Sequence, residues 1–228
     1  MTVRETIDHY IAYFKTQNQE IKNVARPLFM KALYLVEIDT LSRAAFPGNP
    51  SNRKRVVQFI DICSNWNDKD KVSAVQLNLA LEKNGIRSGS LYDFINQRIN
   101  SWGYGQIVQP NQDLTLRETK QLSTSSESQY VNNARYAELL YAYRNHLLHE
   151  FREPGRGMDL GVDLSPTPYY LGMDRLNTGQ SSWELVFPVQ FLRSLCEGCI
   201  NGLETHLSAN NLNPYDAYEF ETMWRRSR

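Results

Sequence analysis

From Arg144 to His149 the sequence reads Arg-Asn-His-Leu-Leu-His, and three of these side chains have the chemistry to act together on a phosphodiester. A guanidinium grips two phosphate oxygens at once through its planar fork. An imidazole takes or gives a proton near neutral pH, and a carboxamide can orient that ring or hold a substrate group. Asn145 and His149 stand four apart, so on a helix they share one face; Arg144 is adjacent to Asn145 and its long side chain can swing toward that face. The trio Arg144, Asn145 and His149 is therefore the candidate catalytic set, and its chemistry requires no metal ion or cofactor. His149 also falls in the last turn of its helix, where the negative dipole end favours imidazolium, while Arg144, Glu150 and Arg152 act on it in opposing directions. His146, Arg152 and Tyr143 are the candidates for substrate contact around the trio. The plainer alternative is a solvated helix end, with Leu147 and Leu148 turned to the core.

The elements that must position these residues follow from the spacing of apolar side chains. Ile7, Tyr10, Ile11, Phe14 and Ile21 recur at helical intervals from Thr2 to about Asn23. Pro27 suits the first turn of a second helix, which runs to Phe46 and is apolar almost all round, as a core helix should be. The run PGNPSN stops it. Arg53 to Trp66 reads as a third helix, Val72 to Gly85 as a fourth, and Leu91 to Trp102 as a fifth capped by Ser90 and closed by Gly103 and Gly105. Gln106 to Gln129 is polar and contains STSSES, which points to a surface loop. The motif helix follows over about 128–151, ending before Pro154-Gly155. Two short segments rich in aromatic and branched residues, TPYYLGM and SWELVF, read as an antiparallel hairpin over about 167–188. Helices over about 189–225 close the chain, and no fixed-period repeat is present.

An arginine followed by a polar residue and, five positions on, a histidine, late in a long helix of a helical protein, resembles the signature of the HEPN superfamily. Here the pattern Arg-x4-6-His is met by Arg144-NHLL-His149 with Asn145 as the polar residue. The resemblance is specific at this helix and general elsewhere. It implies an up-and-down helical bundle, so that residues 1–228 read as a single mainly α domain with additional helices; the family core is four or five helices, and the small β-hairpin departs from it as an insertion or an interface element. It also implies a homodimer with motif helices facing across the interface, and metal-independent endoribonuclease chemistry by attack of the neighbouring 2′-hydroxyl. Arg144 would then stabilise the phosphate, His149 would be the acid/base and Asn145 would position substrate; His146 matches no required position. A toxin or antiviral effector, acting beside an antitoxin or defence-system partner, is the corresponding role. The alternatives are a non-catalytic HEPN module that binds RNA, nucleotide or a protein partner, and a plain helical scaffold.

Composition sets outer bounds. The 228 residues suffice to bury a core without disulfides, and 25 basic residues balance 25 acidic ones, which argues against a surface basic all over but not against a local basic cleft. No run is apolar enough to span a bilayer, the charged start lacks a leader's apolar stretch, and three cysteines are too few for a disulfide framework. The expected location is therefore the cytoplasm. Cys196 and Cys199 have CxxC spacing but fall well inside a helix, where buried structural thiols are expected instead of a redox pair. WGYG at Trp102 to Gly105 lacks the strand-and-helix context of a phosphate loop. Glu37 and Asp39 lie on the apolar second helix and must find partners; Arg43, one turn after Asp39, is the expected one, and Asp61 invites the same structural reading. Tyr136, Tyr143, Tyr169 and Tyr170 could stack on bases, although helical spacing makes Tyr136 and Tyr143 packing residues.

Overall fold

In the computed structural model, which describes residues 2–103, 107–155, 165–174 and 181–218, the chain is mainly helical with a small antiparallel sheet. Helix α1 (Val3–Ile21) opens on a capping box in which Thr2 and Glu5 satisfy each other's backbone amides. Helix α2 (Pro27–Ala45) starts with its proline in the first turn, as expected. Helix α3 (Asn52–Cys63) is capped by Ser51, and helix α4 (Ala74–Lys83) by Ser73. The cap of helix α5 (Ser90–Asn100) is Gly89 rather than Ser90: the backbone there has φ 133°, a conformation that glycine adopts without strain, and the Ser90 hydroxyl donates instead to the Leu122 carbonyl. Gly105 lies outside the described residues.

The polar stretch from Gln106 to Gln129 is not the loop its composition suggests. It holds strand β1 (Ile107–Val108), helix α6 (Leu116–Leu122) and most of helix α7 (Ser125–Val131). Thr115 with Glu118, and Thr124 with Glu127, form two further capping boxes. The serines and threonines that imitate a loop are partly helix caps.

The motif helix is also divided. Between α7 and helix α8 (Tyr136–Asn145) the chain makes a 3-10 turn at Asn132–Ala134 and then extends at Arg135. There it joins a short antiparallel bridge to Val72, with the Ser73 amide donating to the Ala134 carbonyl and the Tyr136 amide to the Lys71 carbonyl. The Arg135 guanidinium clasps both oxygens of Asp61 at 2.8 Å. These long-range bonds outweigh the local helical preference. The predicted hairpin is present as strands β2 (Tyr169–Asp174) and β3 (Ser181–Val186), paired antiparallel with Tyr170 opposite Leu185; β1 adds a third strand on the far edge of β2. Helix α9 (Val189–Asn210) follows, then a 3-10 turn at Pro214–Ala217. The rest of the predicted terminal helix lies outside the described residues.

Helix α9 packs against α1, α2 and α3, and α8 against α3. Their inner faces form the main core, with Tyr34, Phe59, Tyr136, Leu140, Leu192 and Leu203 almost fully buried. A second cluster gathers α4, α5 and α7 around Leu77, Leu81, Leu91 and Val131. On this framework Asp39 of α2 is buried and Arg144 of α8 half-buried.

Candidate functional site

Helix α8 does not end in an ordinary turn. His146–Glu150 forms a π-turn, closed by Phe151 in the left-handed conformation at φ 56° and ψ 33°. A π-turn bonds residue i to i+5, is rare, and recurs at functional positions. In an α-helix, residues five apart diverge around the cylinder because one turn takes 3.6 residues. A wider turn lessens that divergence between positions 144 and 149. His149 is exposed, and its ring has no hydrogen-bond or ion-pair partner among the described residues.

Arg144 is held firmly. One terminal nitrogen donates to Asp39 Oδ2 at 3.0 Å and the other to Asn145 Oδ1 at 2.9 Å, while the guanidinium carbon lies 5.9 Å from the Tyr141 ring centroid. Its side chain is 12% exposed. Asp39 Oδ1 takes a second arginine, Arg55 Nη2 at 3.2 Å, and Arg55 Nε donates to the Ser42 hydroxyl at 3.1 Å. Two guanidinium groups thus share one carboxylate, leaving one net positive charge in a half-enclosed place where it is poorly screened. Arg144 Nε is buried without an acceptor. The expected Asp39–Arg43 pair is not formed: Arg43 is exposed, and partners from α3 and α8 take its place.

The remaining candidates divide into groups. Asn145 orients Arg144 and makes no bond to an imidazole. His146 Nδ1 lies 2.9 Å from Glu150 Oε1, and Glu150 also meets Arg152 Nη2 at 2.5 Å, so these three form one exposed charged cluster. Tyr143 is buried, its ring 5.2 Å from that of Phe187 and its hydroxyl donating to Glu153 Oε2 at 2.8 Å; it is a packing residue and no stacking platform for bases. Tyr136 and Tyr170 are buried as well. Both donate to Asp113 Oδ2, the Ala74 amide donates to Oδ1, and burial pushes the Asp113 carboxyl up to about 6. This polar knot ties β2, α8 and the start of α4 together. It borders an open cleft of about 630 Å³ between α5 and residues 111–118.

Sequence reasoning missed four contributors. Arg55, Lys31 and Glu153 carried no local signal, because their partners lie far along the chain. Asp113 lay inside the stretch that reads as a polar surface loop and carried no signal of its own. Cys63, Cys196 and Cys199 are all buried and free, as expected for structural thiols; Cys196 donates to Glu37 Oε2 at 3.3 Å, and burial raises the thiols of Cys196 and Cys199 well above their ordinary range. Among the described residues no group of three or more His, Cys, Asp or Glu is placed to hold a metal ion. None of their helices is long and apolar enough to cross a membrane.

Comparison of the chain with protein-family models, with curated proteins and with solved structures returns no match. The functional reading therefore rests on the residues and their geometry.

Proposed function

We propose that this protein is a HEPN-like, metal-independent endoribonuclease acting in the cytoplasm as a toxin or defence effector. In this reading Arg144 holds the scissile phosphate, its unused N–H donors taking the non-bridging oxygens. His149 removes the proton from the 2′-hydroxyl as that oxygen attacks phosphorus, and the P–O5′ bond breaks. The departing 5′-oxygen takes a proton from water, the hydroxide left behind is neutralised by the imidazolium of His149, and the products are a 2′,3′-cyclic phosphate and a 5′-hydroxyl. Asn145 and Asp39 keep the guanidinium in place. The observation that carries the reading is an exposed imidazole, without a bonded partner among the described residues, within a π-turn that begins two residues after an arginine whose ion cluster retains a positive charge.

A homodimer belongs to the same proposal. Phe29, Leu33 and Val36 are 38%, 41% and 42% exposed and stand at i, i+4 and i+7, one apolar stripe along α2. Phe151, which closes the π-turn, lies with its ring 5.4 Å from that of Phe29, so the stripe runs up to the candidate site. A second copy seated there would cover it and bring two Arg144/His149 sets near one axis. An antitoxin or another defence-system protein is the other partner class.

The test is cleavage of a mixed-sequence RNA in the presence of chelator. Wild type is expected to cut, leaving cyclic phosphate ends, and Arg144→Ala and His149→Ala are each expected to lose 10²-fold or more, on the order of a general acid–base contribution. A second reading is favoured by one observation, the bonds that already occupy Arg144: a non-catalytic module that binds RNA, nucleotide or a protein partner. RNA binding without cleavage by wild type would select it.

A further inference from the structure

We infer that Glu153 is a positioning residue for His149, fixing the register of the π-turn through a carboxylate gripped from two sides; the catalytic part of this inference rests on the ribonuclease reading. Glu153 follows the left-handed Phe151 by two residues. One of its oxygens accepts from Lys31 Nζ at 3.1 Å, and the other accepts from the Tyr143 hydroxyl at 2.8 Å. Lys31 belongs to α2 and its side chain is 1% exposed; that of Glu153 is 10% exposed. Tyr143 belongs to α8 itself, one turn before His146. The carboxylate therefore closes a ring of chain from Tyr143 through the π-turn to Glu153, and pins that ring to α2.

The length of this ring determines the turn. Relaxing a π-turn to the commoner α geometry moves one residue from the turn into the segment beyond it, displacing the following chain by about 1.5 Å along the axis and about a quarter turn around it. Glu153 would then leave both donors, and the buried Lys31 ammonium would lose this carboxylate in surroundings where losing a charged partner is costly. The clamp thus opposes the relaxation that would swing His149 away from the face of Arg144. Two other charged groups flank the turn, Arg152 and Glu150, but they pair with each other at the surface and leave the clamp to Glu153.

Two variants test this. Tyr143→Phe removes one donor and keeps the ring. Lys31→Met combined with Glu153→Gln replaces both charged partners by neutral groups of similar size, which proteins tolerate far better than loss of one. Three readouts apply: amide hydrogen exchange over residues 146–151, the imidazole NMR signals of His149, and kcat and KM for RNA cleavage measured separately. The expected result is exchange faster by about tenfold or more in that segment alone, shifted His149 signals, and kcat lower by on the order of 10- to 100-fold with KM nearly unchanged. Wild-type exchange and wild-type His149 signals in both variants would overturn the inference. Altered exchange with unchanged kcat in an active enzyme would overturn the positioning role. A wild type that cuts no RNA would fail the ribonuclease reading separately, and the exchange and His149 signals would still decide whether Glu153 sets the turn.

Discussion

Asp39 and Arg144, 105 residues apart in the chain, meet at 3.0 Å across α2 and α8. Because Asp39 also binds Arg55, this one carboxylate joins three helices beside the candidate site. Asp39→Asn keeps the shape and removes the charge, leaving two largely buried guanidinium groups facing a neutral amide. Breaking a buried pair costs about 3–5 kcal/mol; with these side chains slightly exposed, a loss of about 2–3 kcal/mol is expected in urea unfolding. A change under about 0.5 kcal/mol would mean that Asp39 does not anchor the cluster.

His149 should behave in the opposite way. It is exposed and bonded to no side chain among the described residues, so His149→Ala is expected to change unfolding free energy by less than about 0.5 kcal/mol, while RNA cleavage is lost. Arg144→Ala is expected to lose both cleavage and stability. Urea titrations beside cleavage assays check this, and a strongly destabilised His149→Ala would return the imidazole to a structural role.

How much of this was legible in the sequence depends on the range of each interaction. The inner faces of α1 and α9 follow directly from 3.6-residue spacing, and the β2–β3 hairpin from its branched and aromatic runs; α2 reads as apolar almost all round, so the exposed stripe of Phe29, Leu33 and Val36 departs from the wholly buried core helix expected. The boxes Thr115-x-x-Glu118 and Thr124-x-x-Glu127 were equally readable, yet their polar setting resembled a loop. The partners of Asp39 were not readable, since local spacing offers Arg43 while the fold delivers Arg55 and Arg144. Nor was the π-turn: an added residue in a helix leaves no compositional mark, and here the clamp on Glu153, made from α2 and α8, accompanies it. The residue types of the site were visible in sequence, and their relative orientation belonged to the tertiary structure.

Glu37 gives a pH dependence with a definite sign. Burial pushes its carboxyl from 4.5 up to about 7, against the bonds from Cys196 and Asn18 that lower it. Between those pH values the folded protein holds a proton that the unfolded chain has released, so this contribution is complete below pH 4.5, falls as pH rises, and is lost above about 7. Asp113, raised from 3.8 to about 6, acts in the same direction over its own lower range. The stability of wild type relative to Glu37→Gln is therefore expected to drop by about 1–3 kcal/mol from pH 4.5 to pH 7.5. Urea midpoints at four pH values measure it; a difference independent of pH would show Glu37 ionised in the fold.

The α2 stripe predicts an assembly. Leu33→Glu places a charge at the middle of Phe29, Leu33 and Val36, where burial against a second copy would leave it unpaired. Sedimentation is expected to show wild type as a dimer at micromolar concentration and Leu33→Glu as a monomer of unchanged helicity. A monomeric wild type would remove the stripe from the dimer proposal.

Two glycines on α9 should separate backbone contact from side-chain contact. A Cβ added at Gly202 would lie 1.9 Å from the Cys63 carbonyl oxygen and 2.8 Å from its Cα, so α9 and the end of α3 touch through backbone that cannot step aside. A Cβ at Gly198 would meet the Asn65 carboxamide, an exposed side chain free to swing into solvent. Gly202→Ala is therefore expected to cost about 2–3 kcal/mol or more through overpacking. Gly198→Ala should be near neutral or stabilising by up to about 1 kcal/mol, since alanine is the better helix former. The effect should reach the candidate site, because forcing α3 away from α9 moves Arg55 relative to Asp39 and so loosens the carboxylate that holds Arg144. At a temperature where Gly202→Ala remains folded, cleavage should fall in that variant and persist in Gly198→Ala. Equal stability of the two variants in urea would show that α3 and α9 do not meet as closely as their backbones imply.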